Sequence, residues 1–288
     1  MAAEVNLIKK ADLVRVREID FTLMFSESIR KLTEALGVTR KIAKQAGTVL
    51  KSYKAVGTLE SGEVAEGDLI PLSHYETQAQ TYKEITLLKW RKATSAEAIV
   101  DRGFDQAVTM TNDRMLKDVQ KGIRTRFFDF LATGTGAVSG DGLQASLAQA
   151  WGKLQVLFDA DDVASVYFLN PMDMADYLGS AEVTTQTAFG MTYLENFLGI
   201  GDVFLNASVP KGKYYATAKE NLIMYYIPVN GADLNEAFSF TSDETGLIGI
   251  HEHADYTNMT AQTTVINGME LMAERIDGVI VGTIGAGA

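Results

Sequence analysis

Between residues 94 and 131 no proline interrupts an apolar stripe: Val100, Phe104, Ala107 with Val108, Met115 with Leu116, Val119, Ile123, Phe127, and Phe130 with Leu131. Recurrence every three or four residues places these side chains on one face of an α-helix. Thr94-Ser95-Ala96-Glu97 reads as a capping box in front of it, the Thr hydroxyl and the Glu carboxylate each satisfying a backbone N–H that the first turn leaves unpaired. A single helix from 95 to about 132 would be ~57 Å long at 1.5 Å per residue. Average helices have roughly 11–12 residues, so this one is expected to form a rod along the edge of the molecule. Gly134, Gly136, Gly140 and Gly142 end it.

The chain before the rod is poor in core-forming residues. Residues 20–36 carry Phe21, Phe25, Ile29 and Leu32 at helical spacing, and Gly37 is a plausible C-cap. Residues 38–57 hold Arg40, Lys41, Lys44, Lys51 and Lys54 and turn extended. Residues 1–57 therefore read as an arm. From 58 to 92 the pattern changes: Gly57, Gly62, Gly67 and Pro71 punctuate a stretch with Glu60, Glu63, Glu66 and Asp68 and no basic residue before Lys83. Two extended strands joined by an acidic, glycine-rich loop fit it. A lone hairpin is marginal in water, so it must lie on its own body or on a neighbouring subunit. On a neighbour, Glu60, Glu63, Glu66 and Asp68 at the tip would meet basic groups, and Tyr82, Leu88 and Trp90 would be buried in the contact.

Beyond the rod, a second helix is expected over residues 144–157, with Leu147, Trp151, Leu154 and Phe158 on one face. A buried strand over 163–169 follows, closed by Asn170-Pro171, and then a short helix to Leu178. Further strands are expected at 203–205, 214–216, 222–227 and 238–240, and two long extended runs at 247–256 and 262–281. Strands and helices alternate without a βαβ rhythm, and the fold class is α+β.

Charge divides the chain. Residues 1–126 hold 21 Lys/Arg and 17 Asp/Glu, a net of +4, whereas residues 127–288 hold 5 and 20, a net of −15. Such asymmetry suggests two surfaces facing two environments. The overall net of −11 argues against nucleic-acid binding over the whole surface. The absence of cysteine excludes disulfides, thiolate metal sites and a cysteine nucleophile. The N-terminus, Met1-Ala2-Ala3-Glu4, offers no charged-then-apolar signal, and the apolar run at 278–288 is too short to span a bilayer. A soluble protein is expected.

Motifs of catalysis are missing. The glycines at 134–142 follow a helix and lack dinucleotide-loop spacing, and neither a phosphate loop nor a nucleophile elbow occurs. His251-Glu252-His253 places two imidazoles on one face of a strand, but supplies only two of the ligands that a zinc site needs. No catalytic residue, metal site or cofactor is assigned. An oligomeric metal-dependent enzyme using His251 and His253 is the rival reading from another class.

The order of parts (arm, unsupported hairpin, very long helix, mixed body, returning strand) resembles the major capsid proteins of tailed bacteriophages with the Hong Kong 97-type fold. Three stretches carry the likeness locally: Tyr167-Phe168-Leu169-Asn170-Pro171 with its following helix, Leu198-Gly199-Ile200-Gly201-Asp202-Val203 with Val209-Pro210-Lys211-Gly212 after it, and the closing strand around Glu274-Arg275-Ile276-Asp277-Gly278. The resemblance implies an N-terminal arm at 1–57 and an extended loop at 58–93. It implies a peripheral domain with a spine helix at 94–140 and 245–278, and an axial domain at 141–244 and 279–288. It implies self-assembly as pentamers and hexamers into an icosahedral head shell in the virion, made in the bacterial host cytoplasm. A separate scaffolding protein, a portal and packaged DNA held non-specifically on the inner face would be the partners, with no membrane. An encapsulin-type nanocompartment is the alternative within the same architecture.

Overall fold

A computed structural model describes residues 10–64, 69–159, 163–178 and 185–285. The first helix, α1 (Lys10–Ala35), buries Phe21, Phe25, Ile29 and Leu32 at the spacing read from the sequence. It ends in a Schellman turn: Gly37, at φ +67°, donates to the Glu34 carbonyl and Val38 to that of Thr33. Four strands follow: β1 (Lys41–Ala43), β2 (Val49–Thr58), β3 (His74–Glu84) and β4 (Leu88–Ser95). The hairpin is β2 with β3, so all of its first strand but Thr58 lies within the stretch the sequence assigned to the arm.

The rod is broken. Helix α2 (Ala96–Arg102) stops at Gly103, at φ +78°, and the chain passes through a π-helical turn (Asp105–Thr109) before α3 (Met110–Leu131). The capping box is also corrected: Ser95, not Thr94, is the N-cap, its hydroxyl accepting from Ala98 N at 3.3 Å. The Thr94 hydroxyl instead donates to the Ala107 carbonyl. The stripe holds in α3, where Leu116, Val119, Ile123, Phe127, Phe128 and Leu131 are buried, but Val100 is 86% exposed. A stripe of correct period says nothing about whether another layer covers it, and no residue of α2 is buried among the described residues.

Next come β5 (Gly136–Asp141), α4 (Gly142–Phe158), β6 (Ser165–Leu169) and α5 (Pro171–Leu178). All five residues of β6 are buried, which explains its unbroken apolar run. Val166 and Phe168 enter one core, with α1 and α3, while Tyr167 and Leu169 enter a second beneath α4. Phe168 lies 5.4, 5.5 and 5.6 Å from the rings of Phe127, Phe128 and Phe204. Asn170 closes the strand by accepting from Met172 N and donating to the Val209 carbonyl.

The remaining elements are β7 (Gln186–Ala188), β8 (Met191–Phe197), β9 (Gly201–Leu205), β10 (Lys213–Ala218), β11 (Leu222–Tyr226), α6 (Ala232–Ala237), β12 (Thr241–Ser242), β13 (Ile248–Asp255), β14 (Thr260–Asn267), β15 (Met269–Ala273) and β16 (Val279–Gly285). The strand expected at 238–240 begins only at Thr241. Among the described residues the strands form a seven-stranded mixed sheet (β5-β16-β10-β6-β9-β8-β7), a four-stranded sheet (β12-β13-β14-β4), a three-stranded sheet (β1-β11-β15) and the β2-β3 hairpin.

The extended run at 262–281 is not one strand. It serves three sheets in turn as β14, β15 and β16. The first change falls at Gly268, whose carbonyl accepts from Ile227 N at 2.6 Å and where a Cβ would press on the Ile227 side chain. The second is set by buried Asn221, which accepts from Arg275 N and donates to the Arg275 carbonyl. These links tie the sheets into one α+β body.

Candidate assembly interface

Among the described residues the hairpin is anchored only at its base. Leu50 and Ile85 are buried in the main core, and Ile85 N donates to the Thr48 carbonyl at 3.1 Å. From there β2 and β3 pair in register from Lys51↔Thr81 to Thr58↔His74, after a bulge beyond Val49. Ten residues at about 3.3 Å each make a rod ~33 Å long. Gly57 lies opposite Tyr75, whose ring covers the place a Cβ would occupy. Described side chains between Lys51 and Gly62 are exposed, as are residues 69–79. Neither strand pairs with another sheet among the described residues.

At the tip the dominant feature is apolar. Leu69 is 95% and Leu72 94% exposed, and Leu59 and Ile70 are exposed beside them. Glu60 and Glu63 are exposed in the same loop, where Glu60 N donates to the Ser73 hydroxyl at 3.1 Å. Glu66 and Asp68 lie outside the described residues. Tyr82 falls in β3, and its side chain lies outside the described residues. Leu88 and Trp90 lie beyond the hairpin in β4, opposite Asn267 and Val265 of β14, and both are half-buried, Trp90 against the main core. Sequence reasoning settled on the acids and missed Leu59 and the Leu69-Ile70-Pro71-Leu72 run, although a polar turn rarely carries so many large apolar residues.

His251 and His253 project from β13 into a cavity of about 560 Å³ that Glu18, Phe104, Phe240 and Tyr256 also line. Their rings stack, centroids 5.4 Å apart. Buried Glu18, from α1, accepts from Glu252 N at 2.5 Å and from the Thr241 hydroxyl, pinning α1 to the sheet edge. Among the described residues no group of three or more His, Cys, Asp or Glu is placed to hold a metal ion. Among them, too, no helix is long and apolar enough to cross a membrane.

A polar cluster ties the broken helix to the four-stranded sheet. Lys92 Nζ donates to the Val108 carbonyl at 3.0 Å and to the Thr111 hydroxyl. Asn112 donates to Glu252 Oε1 at 2.5 Å. Burial pulls the Lys92 pKa down to about 8, against the opposite pull of the Glu252 and Asp113 carboxylates.

No known family model matches the sequence, and no curated protein matches it. Solved structures do match the fold. The capsid of a native GTA particle aligns at TM-score 0.56 with 11% identity, over 88% of this chain and 91% of that one. The capsid of cyanophage A-1(L) aligns at 0.53 with 11% identity, over 86% and 91%. An encapsulin complex from Synechococcus elongatus aligns at 0.51 with 12% identity, over 87% and 86%. The chain thus has the α+β fold found in these capsid and encapsulin shells.

Proposed function

We propose that this chain is a structural, non-enzymatic shell subunit: the major head protein of a tailed bacteriophage, assembling with copies of itself as pentamers and hexamers around DNA. The observation that carries the reading is the hairpin. It is a ~33 Å rod with an apolar tip and no partner sheet among the described residues, on a fold found in capsids. Bare strand edges and exposed leucines favour association, and a neighbouring subunit supplies the cover that the hairpin's own body does not. In this reading residues 1–57 are the arm and 58–93 the extended loop, with the hairpin's first strand borrowed from the arm. Residues 94–140 and 245–278 form the peripheral domain, and 141–244 and 279–288 the axial domain. The shell belongs to the virion and is built in the host cytoplasm with a scaffolding protein and a portal.

The encapsulin-like match supports a second reading, a nanocompartment whose cargo is protein. Purified particles separate the two. DNA that resists nuclease until the shell is opened supports the head protein. Particles holding protein and no nucleic acid support the nanocompartment.

A further inference from the structure

None of the side chains of α2 is buried. Its start is held by the Ser95 cap and by a bond from Ala96 N to the Met259 carbonyl at 2.9 Å. At its end, Gly103 sits at φ +78° and ψ 155°, and a Cβ there would meet nothing within 4 Å. Backbone conformation, not crowding, makes glycine the suitable residue. After Gly103 the chain re-enters a helix through the π turn, where Met110 N reaches back five residues to the Asp105 carbonyl.

A π turn displaces carbonyls from their usual i+4 partners. Here side chains collect them. The Thr111 hydroxyl lies 2.8 Å from the Ala107 oxygen and 2.9 Å from that of Val108. Thr94 reaches the Ala107 carbonyl, and Lys92 reaches the Val108 carbonyl and the Thr111 hydroxyl together. Lys92 and Thr94 come from β4, which its pairing with β14 fixes in the sheet. The π turn is thus fastened to the sheet by side chains, while α2 before it has no buried side chain, Ala96, Ala98 and Ile99 being half-buried.

We propose that residues 96–111 are a latched hinge: Gly103 is the pivot, α2 the lever, and Lys92 the latch that holds the π turn in register against β4. Lys92 acts as a positioning residue. Half-burying its ammonium opposes stability, and its bonds to the Val108 carbonyl and the Thr111 hydroxyl offset that cost only while the π turn keeps this register. The hinge and latch use contacts within a single chain, so they stand apart from the shell reading.

Hydrogen exchange on the full-length protein tests this, with Lys92→Met and Thr111→Val compared to wild type. In Lys92→Met, amides at 103–111 should exchange about tenfold faster or more, as expected of a locally opening segment. Amides of β13 and β14 should be unchanged, and the thermal midpoint should stay level or rise. Thr111→Val keeps the lysine but removes the bridging hydroxyl, and should speed exchange over the same residues. Unchanged exchange at 103–111 in both variants would overturn the latch. So would protection lost evenly from β4, β13 and β14 with a lower thermal midpoint, because Lys92 would then simply hold the sheet together.

Discussion

Replacing Leu69 and Leu72 by serine probes the hairpin tip without touching a core. At 95% and 94% exposure, neither side chain contributes packing to its own subunit. Exposed substitutions change stability by about 0.5 kcal/mol or less, so the isolated subunit should melt as wild type does. Burial of a leucine against a partner contributes about 1.5–3 kcal/mol. Two leucines per tip therefore contribute ~3–6 kcal/mol to each contact if both become buried. At about 1.4 kcal/mol per decade, the double variant should associate roughly 100- to 10,000-fold more weakly. Circular dichroism gives the melt, and sedimentation velocity over a concentration series gives the threshold for particle formation. A wild-type melt with the threshold raised by two decades or more is the expected result. Particles forming at the wild-type threshold would show that the tip leucines stay uncovered in the assembly, and a melt lowered by several degrees would show that they are packed on their own subunit.

Four further outcomes are expected. Replacing residues 60–72 by a short Gly-Ser linker should leave a folded protein with a near-native circular dichroism spectrum that fails to close shells; normal particles would place the hairpin in decoration. His251→Gln with His253→Gln should leave particle yield and thermal midpoint nearly unchanged, and stoichiometric metal in wild type that the double variant lacks would contradict this. Gly282→Ala should cost about 1–3 kcal/mol, because a Cβ there would overlap the ring of Tyr214, whose hydroxyl is fixed to the Ser146 carbonyl at 2.5 Å; a wild-type chemical denaturation midpoint would show that the ring can move. Lys92 has a folded pKa of about 8 against 10.5 for the free group, so the unfolded chain holds the extra proton between those values and the burial penalty lifts as pH rises; the stability of wild type minus that of Lys92→Met should climb from pH 8 to 10.5, and a flat or falling difference would count against the buried ammonium.

Local signals in the sequence predicted local structure well. The spacing of Phe21, Phe25, Ile29 and Leu32 gave the buried face of α1, and Gly37 its end. The apolar run before Asn170-Pro171 gave β6. What escaped depends on neighbours distant in sequence. The break at Gly103 is made by a positive-φ glycine and by Lys92, sixteen residues before the carbonyl it binds. The division of residues 262–281 among three sheets depends on Ile227 and Asn221. In the hairpin, the glycines and acids marked the loop correctly, but the first strand was hidden because Val49, Tyr53 and Val56 alternate with lysines and read as a basic arm. Leu88 and Trp90 read as hairpin anchors because nothing in their own stretch shows that β14 lies beside them.

The most direct test of the central claim is electron microscopy of the purified protein at side-chain resolution, expressed alone and with a co-expressed scaffolding protein. Closed hollow particles are expected, in which each β2-β3 hairpin lies along an adjacent subunit with Leu69 and Leu72 covered. Discrete small oligomers under both conditions would contradict it, as would closed particles in which every hairpin folds back on its own body.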